Sequence, residues 1–203
     1  MGRIVRTDAQ GMEAARRVLA KGGLVAFPTD TVYGLGADLH NEAAIERIYQ
    51  VKQRPKDKAI PVLLAGPDQL DEAARPPGDL AARLANRFWP GPLTLVLPRQ
   101  SGLPANLGPG DSVGVRVPDH EFALLLLRDL GPLAVTSANR SGGEDTRTAQ
   151  AVYDQIGERV ELILDGGRTP GGEPSTVVDC RGGEIKILRR GPISEAELRD
   201  ALE

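Results

Sequence analysis

Cysteine is nearly absent from this chain of 203 residues, in which Cys180 is the only one. A single cysteine excludes an internal disulfide and favours a reducing compartment. The only histidines are His40 and His120, so the sequence offers no set of zinc ligands. We therefore expect a cytoplasmic protein without a dedicated protein-held metal site.

Aromatic residues are also scarce, at 3% of the chain, which leaves few platforms on which single-stranded nucleic acid could stack. The formal net charge of -3 gives no general attraction for polyanions, although local basic patches can still bind RNA. No segment approaches the roughly 20 apolar residues of a membrane helix, and the first residues lack the apolar core of a signal peptide. We expect a soluble protein with no membrane partner.

The chain does contain alternating helical and extended patterns, with 40% hydrophobic residues, which predicts one domain spanning residues 1–203. Interleaved helices and strands with short hairpins indicate the α/β class with a mixed sheet. The predicted strands are 4–6, 24–27, 60–64, 93–97, 113–117, 133–136, 162–164, 176–179 and 185–188. The predicted helices are 12–19, 41–52, 68–74, 79–88, 121–130, 148–156 and one capped by Ser194 and Glu197.

Two polar clusters follow the first buried strand. In segment 28–36, Thr29, Thr31 and Tyr33 offer hydroxyls after an apolar run, a usual place for ligand loops in open α/β sheets. A tight turn that satisfies its own backbone is the alternative. Lys52 and Arg54 then stand where Pro55 ends a helix, and they suit phosphate. Their alternative role is to stabilise the helix dipole.

Two further clusters come later in the chain. Ser137 and Asn139 follow another apolar strand and can orient a nucleotide or a carbonyl, or simply form a turn. A serine nucleophile is disfavoured, since no base stands nearby in sequence. Ser175 and Thr176 end a glycine-rich loop able to cradle phosphate, with a surface connection as the alternative. Arg116, inside a strand pattern, needs a partner or a ligand. Arg189 is similar but is also compatible with a solvent-exposed strand end.

Six segments of the chain, in order, resemble the YrdC/TsaC family of threonylcarbamoyl-AMP synthases: 28–36, 52–55, 90–94, 115–118, 137–139 and 174–179. The resemblance runs from about residue 22 to residue 193. It implies a twisted mixed sheet with flanking helices around a large concave cavity. It also implies a reaction that joins L-threonine, bicarbonate and ATP, with Mg²⁺, into threonylcarbamoyl-AMP and pyrophosphate. Partner proteins then transfer the threonylcarbamoyl group to the tRNA adenosine beside the anticodon.

The resemblance also assigns roles to residues. Lys52, Arg54, Ser137 and Asn139 match the family's catalytic tetrad, which holds the ATP phosphates and the reacting acyl group. Three groups complete the implied site: the threonine pocket of Thr29, Thr31 and Tyr33; Arg116 for the threonine carboxylate or the α-phosphate; and Ser175, Thr176 and Arg189 for the nucleotide.

The chain departs from the family pattern in one loop. Many relatives place a histidine or asparagine shortly after the Arg-Pro, where this chain has Lys56, Asp57 and Lys58. The extra C-terminal domain of longer relatives is not expected either. Two alternatives stay open at this point: a double-stranded RNA-binding or ribosome-associated module, and a family paralogue acting on another substrate.

Overall fold

Ten strands form a single sheet in the computed structural model, which describes residues 2–203. The strands are β1 (Arg3–Arg6), β2 (Val25–Phe27), β3 (Gly34–Asp38), β4 (Val62–Leu63), β5 (Leu93–Pro98), β6 (Ser112–Arg116), β7 (Leu133–Ser137), β8 (Leu162–Asp165), β9 (Thr176–Asp179) and β10 (Lys186–Arg189). Their order across the sheet is β1-β8-β2-β3-β7-β4-β6-β5-β9-β10. The sheet contains parallel pairs such as β4 with β6 and antiparallel pairs such as β5 with β6, so the predicted mixed α/β sheet is confirmed.

Seven α-helices flank the sheet within residues 2–203. They are α1 (Ala9–Ala20), α2 (Glu42–Lys52), α3 (Leu70–Ala73), α4 (Asp79–Phe88), α5 (Glu121–Leu130), α6 (Ala149–Ile156) and α7 (Glu195–Asp200). The predicted cap of α2 is confirmed, because the Asn41 side chain accepts a hydrogen bond from the Ala44 N–H. Helix α2 ends at Lys52, and the next residue, Gln53, caps it in a left-handed conformation with a φ of 52°. None of the helices in the described part of the chain has the length and apolar character needed to cross a membrane.

Strand β3 corrects the sequence prediction, which treated all of residues 28–36 as a loop. Gly34 and Gly36 belong to a strand that pairs antiparallel with β2 and β7. A Cβ on Gly34 would lie 2.7 Å from Val135 Cγ1, and one on Gly36 would lie 3.0 Å from Phe27 Cε1. These glycines therefore allow close packing against the strand rather than forming a turn. The ligand loop is accordingly shorter, from residue 28 to residue 33.

The apolar core lies on both faces of the sheet, as the alternation of strand side chains requires. In β2, Ala26 packs on one face with Ile45 and Ile48 of α2. Val25 and Phe27 pack on the other face with residues of α1 and α5. Side chains at the ends of the central strands are thereby held on a rigid support.

Candidate functional site

A cavity of about 360 Å³ opens on the concave side of the sheet, within the 300–1,000 Å³ range usual for small-ligand sites. It spans the sheet from the β2–β3 connection to β10. Four arginines give the cavity its positive charge, and most of the remaining wall consists of hydroxyl-bearing and small apolar side chains. The sequence-predicted residues on its wall are Thr29, Thr31, Tyr33, Arg54, Arg116, Ser137, Ser175 and Arg189.

The loop between β2 and β3 presents two hydroxyls that are already partly engaged. Thr29 Oγ1 donates to the Val32 carbonyl oxygen at 2.7 Å and lies 3.0 Å from Thr31 Oγ1. Both threonines are buried. The loop is therefore preorganised by its own hydrogen bonds, which combines the two alternatives that the sequence left open.

Tyr33 is one of the residues around the cavity, but it is fully buried and its hydroxyl is bound within the protein. The hydroxyl donates to the Gly167 carbonyl oxygen at 2.7 Å and accepts from the Gly166 N–H at 3.3 Å. Burial raises the pKa of Tyr33 to about 12. The phenol therefore stays protonated and ties residues 166–167 to the loop between β2 and β3.

Arg116 at the end of β6 is buried and has the partner that its sequence position required. Its Nη2 donates to Asp30 Oδ1 at 2.6 Å, its Nη1 to Thr31 Oγ1 at 3.0 Å and its Nε to the Gly91 carbonyl oxygen at 2.9 Å. Three of the five guanidinium protons are thereby used, so two N–H donors remain for an anion in the cavity. Asp30 was not assigned a role from the sequence.

Lys52 lies at the C-terminal end of α2 and meets residues far along the chain. Its ammonium donates to the Ser137 and Asn139 carbonyl oxygens, both at 2.5 Å, and to Asn139 Oδ1 at 3.1 Å. Ser137 Oγ also donates to Asn139 Oδ1 at 2.6 Å. The structure thus brings three of the predicted tetrad together. Of these three, Ser137 lines the cavity, whereas Lys52 and Asn139 lie behind its wall.

The ammonium of Lys52 is almost completely buried without a carboxylate in contact. Burial lowers the pKa of Lys52 to about 7, and the charge of Arg54 lowers it further, while Asp145 opposes the shift. Three oxygen acceptors surround a group that has three protons only when it is charged. Only the ammonium form, which the lowered pKa confines to pH values below about 7, can donate to all three acceptors in the turn after β7.

Arg54, the fourth member of the predicted tetrad, organises the loop that follows Pro55. Its Nε donates to the Lys58 carbonyl oxygen at 3.0 Å and its Nη2 to the Ala59 carbonyl oxygen at 2.7 Å. Lys56 pairs with Glu46 on α2. The loop is thus folded back onto Arg54, whose guanidinium lines the cavity.

Strand β9 separates two residues that the sequence treated alike. Ser175 lines the cavity and accepts from Arg189 Nη2 at 3.1 Å. The hydroxyl of Thr176 instead donates to the Ile193 carbonyl oxygen at 3.0 Å and accepts from the Ile193 N–H at 3.0 Å. Thr176, the first residue of β9, is fully buried and is not among the residues that line the cavity.

Three guanidinium groups act on one another across the cavity. Burial lowers the pKa of Arg189, and the neighbouring charges of Arg116 and Arg54 lower it further, whereas Asp145 raises it. Burial likewise lowers the pKa of Arg54 and of Arg116. Cations gathered at a partly desolvated site bind an anion strongly, and an anion would relieve their mutual repulsion.

The lining offers little to a protein-held metal ion. Its oxygen-bearing side chains are hydroxyls, and no carboxylate is among the described residues of the wall. Residues 2–203 contain no group of three histidine, cysteine, aspartate or glutamate side chains arranged to hold a metal. Mg²⁺ prefers carboxylates and substrate phosphates, so the donor set fits a cation that arrives on phosphates and not one held by the protein.

Sequence reasoning assigned no role to several polar residues at the site, among them Asp30, Thr94 and Arg181. Asp30 stands between two residues that were selected, and the need of Arg116 for a partner was the available signal. Thr94 Oγ1 lies 2.8 Å from Ser175 Oγ, inside an otherwise apolar strand. Arg181 lies on the turn between β9 and β10, where a charged side chain is too common to single out.

Comparisons with known proteins identify the family of the chain. Residues 17–191 match the Sua5/YciO/YrdC family, whose description reads "Telomere recombination". A threonylcarbamoyl-AMP synthase of Pyrococcus abyssi is 41% identical over 95% of this chain and 58% of its own length. A threonylcarbamoyl-AMP synthase of Bacillus subtilis is 40% identical over 94% of this chain and 56% of its own length.

The fold has a close counterpart among solved structures. Sua5 of P. abyssi complexed with L-threonine superposes with a TM-score of 0.93 and 39% identity, covering all of this chain and 60% of that one. The predicted fold is therefore confirmed. The chain spans a little under three fifths of the length of these relatives.

Proposed function

Because the chain belongs to the Sua5/YciO/YrdC family, we propose that it forms threonylcarbamoyl-AMP and pyrophosphate from L-threonine, bicarbonate and ATP. The observation that carries the proposal is a single cavity in which Arg54, Arg116 and Arg189 converge beside the hydroxyls of Thr29 and Thr31. Such a site suits reactants that are all anionic or carry a carboxylate. The product would serve proteins that modify tRNA.

The amino acid would occupy the end of the cavity near Arg116. Its carboxylate would take the two N–H donors that Arg116 does not use for Asp30, Thr31 and the backbone of Gly91. The hydroxyls of Thr29 and Thr31 would lie beside it. Asp30 would act as a positioning residue, because it holds the guanidinium in one orientation.

The nucleotide phosphates would lie between Arg54, Arg189 and the turn at Ser137. In the first step, the threonine amine attacks bicarbonate and water leaves, which gives a carbamate. A carbamate oxygen then attacks the α-phosphorus of ATP, and pyrophosphate leaves with the electrons of the broken bond. The fixed guanidinium charges would stabilise the charge that develops on the phosphoryl oxygens. Mg²⁺ bound to ATP would neutralise the remaining phosphate charge.

Lys52 and Asn139 would act through Ser137. Their hydrogen bonds fix the turn after β7, so a substrate contact by Ser137 would depend on both. This assigns the tetrad two duties: Arg54 and Ser137 would touch substrate, and Lys52 and Asn139 would position Ser137.

Pyrophosphate release tests the proposal. Purified protein is incubated with ATP, Mg²⁺ and bicarbonate, with and without L-threonine, and pyrophosphate is measured by a coupled enzymatic assay. We expect release that depends on threonine and that D-threonine does not support. Release at the same rate without threonine would contradict the assignment.

A further inference from the structure

A glycine-rich segment lies against the outside of the loop between β2 and β3. Residues 166–174, here called the strap, follow β8 and lead toward β9. Four of these residues are glycines and two are prolines, and the strap forms no helix or strand of its own. Glycine leaves the backbone free to adopt many conformations. The position of the strap must therefore come from its contacts with neighbouring loops.

The strap contacts the backbone of the two residues whose side chains hold Arg116. The Gly171 N–H donates to the Asp30 carbonyl oxygen at 3.1 Å. A Cβ on Gly171 would lie 2.7 Å from that oxygen and 2.8 Å from Thr31 Cα, so only glycine allows this approach. The side chains of Asp30 and Thr31 accept hydrogen bonds from the Arg116 guanidinium. A movement of the strap would therefore reach Arg116 through these two residues.

Arg147, in the loop between β7 and α6, holds the strap on both sides of Gly171. Its Nη2 donates to the Thr169 carbonyl oxygen at 3.2 Å and to the Pro170 carbonyl oxygen at 3.4 Å. Its own carbonyl oxygen accepts from the Thr169 N–H at 2.9 Å. A Cβ on Gly172 would lie 3.3 Å from Arg147 Nη1, so the guanidinium also packs against the strap beyond Gly171.

The residue before Arg147 contacts the loop between β2 and β3 directly. The Thr146 carbonyl oxygen accepts from the Tyr33 N–H at 2.9 Å. The hydroxyls of Thr146 and Thr169 are buried, and neither has a hydrogen-bond partner among the described residues. The side-chain hydrogen bonds between the strap and the loop after β7 thus come from the Arg147 guanidinium.

We propose that Arg147 is a positioning residue for the amino-acid substrate, because it holds the strap on Asp30 and Thr31 and these two residues hold Arg116. The inference rests on the proposed function, in which Arg116 binds the threonine carboxylate. Arg147 is not among the residues that line the cavity, so it acts without touching substrate. The carboxylate is bound alike in the ground state and the transition state, so a loosened Arg116 raises the KM for threonine and leaves kcat unchanged.

Steady-state pyrophosphate assays on two variants test the positioning role. Arg147→Ala and Gly171→Ala disturb the same contact from opposite sides. We expect each to raise the KM for L-threonine about tenfold, the size expected for a weakened hydrogen bond to a charged group. The kcat and the KM for ATP should stay within about twofold. The double variant should lose no more than either single variant, because both changes break one contact.

Each variant has a matched control. Arg168 lies in the strap, is exposed and does not line the cavity, so Arg168→Ala should leave the KM for threonine unchanged. A Cβ on Gly78 meets no atom within 4 Å, so Gly78→Ala should also change nothing.

Hydrogen–deuterium exchange of the ligand-free protein tests the contact without relying on the proposed function. In Arg147→Ala, peptides covering residues 28–38 and 166–174 should lose protection relative to the wild type and to Arg168→Ala. Unchanged exchange in residues 28–38 would show that Arg147 does not hold this loop and would overturn the proposal.

Two kinetic results would also overturn the proposal. An unchanged KM for threonine in both variants would mean that the strap does not position Arg116. An equal rise in the KM for threonine and for ATP, or a lowered kcat, would mean that Arg147 only supports the fold. A wild type that releases pyrophosphate without threonine would instead contradict the proposed function, and the exchange comparison would still support or overturn the contact.

Discussion

Asp30 provides the sharpest test of how the site is held together. The ion pair between Asp30 and Arg116 is 2.6 Å long, and its side chains are only 11% and 7% exposed. The change Asp30→Ala removes the carboxylate and leaves the Arg116 charge buried with only neutral partners. Removing one partner of a buried ion pair typically costs about 3–5 kcal/mol.

A loss of that size is large against the total stability of a domain, which is about 5–15 kcal/mol. At roughly 2–4 °C per kcal/mol for a chain of this length, we expect the Tm to fall by about 10 °C. The control is Asp129→Ala. Asp129 also forms an ion pair of 2.6 Å, with Arg16, but the side chains are 31% and 50% exposed. An exposed pair contributes about 0–1 kcal/mol, so the control should change the Tm little.

Circular dichroism follows the unfolding of both variants, by heating for the Tm and in urea for the free energy of unfolding. The double variant Asp30→Ala/Arg116→Met also removes the unpaired charge of Arg116. It should recover part of the lost stability, since residues in contact couple by about 0.5–3 kcal/mol. If Asp30→Ala loses no more stability than Asp129→Ala, then Asp30 does not hold Arg116 in place. The proposed positioning of the threonine carboxylate would then lack its support.

Two further predictions concern the tetrad. Lys52 has its pKa lowered from 10.5 to about 7, so between these values the unfolded chain binds a proton that the folded chain does not. Urea titrations give the unfolding free energies of the wild type and of Lys52→Met, and the wild-type value minus the variant value should rise by about 2 kcal/mol from about pH 7 to about pH 9. A difference that does not change with pH would contradict the lowered pKa. Arg54→Ala should lower kcat/KM for ATP about tenfold or more, because a hydrogen bond to a charged group contributes about 1.5–3 kcal/mol. Steady-state pyrophosphate assays measure this, and wild-type kinetics would exclude Arg54 from the phosphate site.

Local patterns predicted most of the scaffold because the relevant interactions lie close together in sequence. The cap at Asn41 and the capping box of Ser194 and Glu197 form within one helical turn, and both are confirmed. Strand β3 escaped prediction because Gly34 and Gly36 are typical of turns. These two positions lack room for a side chain because Val135 and Phe27 pack closely against them from other strands.

The sequence was sufficient to predict which residue types form the site, but not which of them are in contact. An arginine in a strand signalled that Arg116 needs a partner, but only the folded β2–β3 connection identifies Asp30. Lys52 meets Asn139, which is 87 positions away in the chain, and no periodicity reports such a contact. Leu188 lines the cavity next to a β-bulge in β10, which depends on a register between β9 and β10 that the sequence pattern does not specify.

The central claim is that this cavity joins threonine and bicarbonate to the AMP part of ATP. Mass spectrometry of the reaction with isotopically labelled bicarbonate tests it most directly. We predict a product with the mass of threonylcarbamoyl-AMP that carries the label and that disappears when threonine is omitted. Pyrophosphate release without any labelled adenylate would contradict the account.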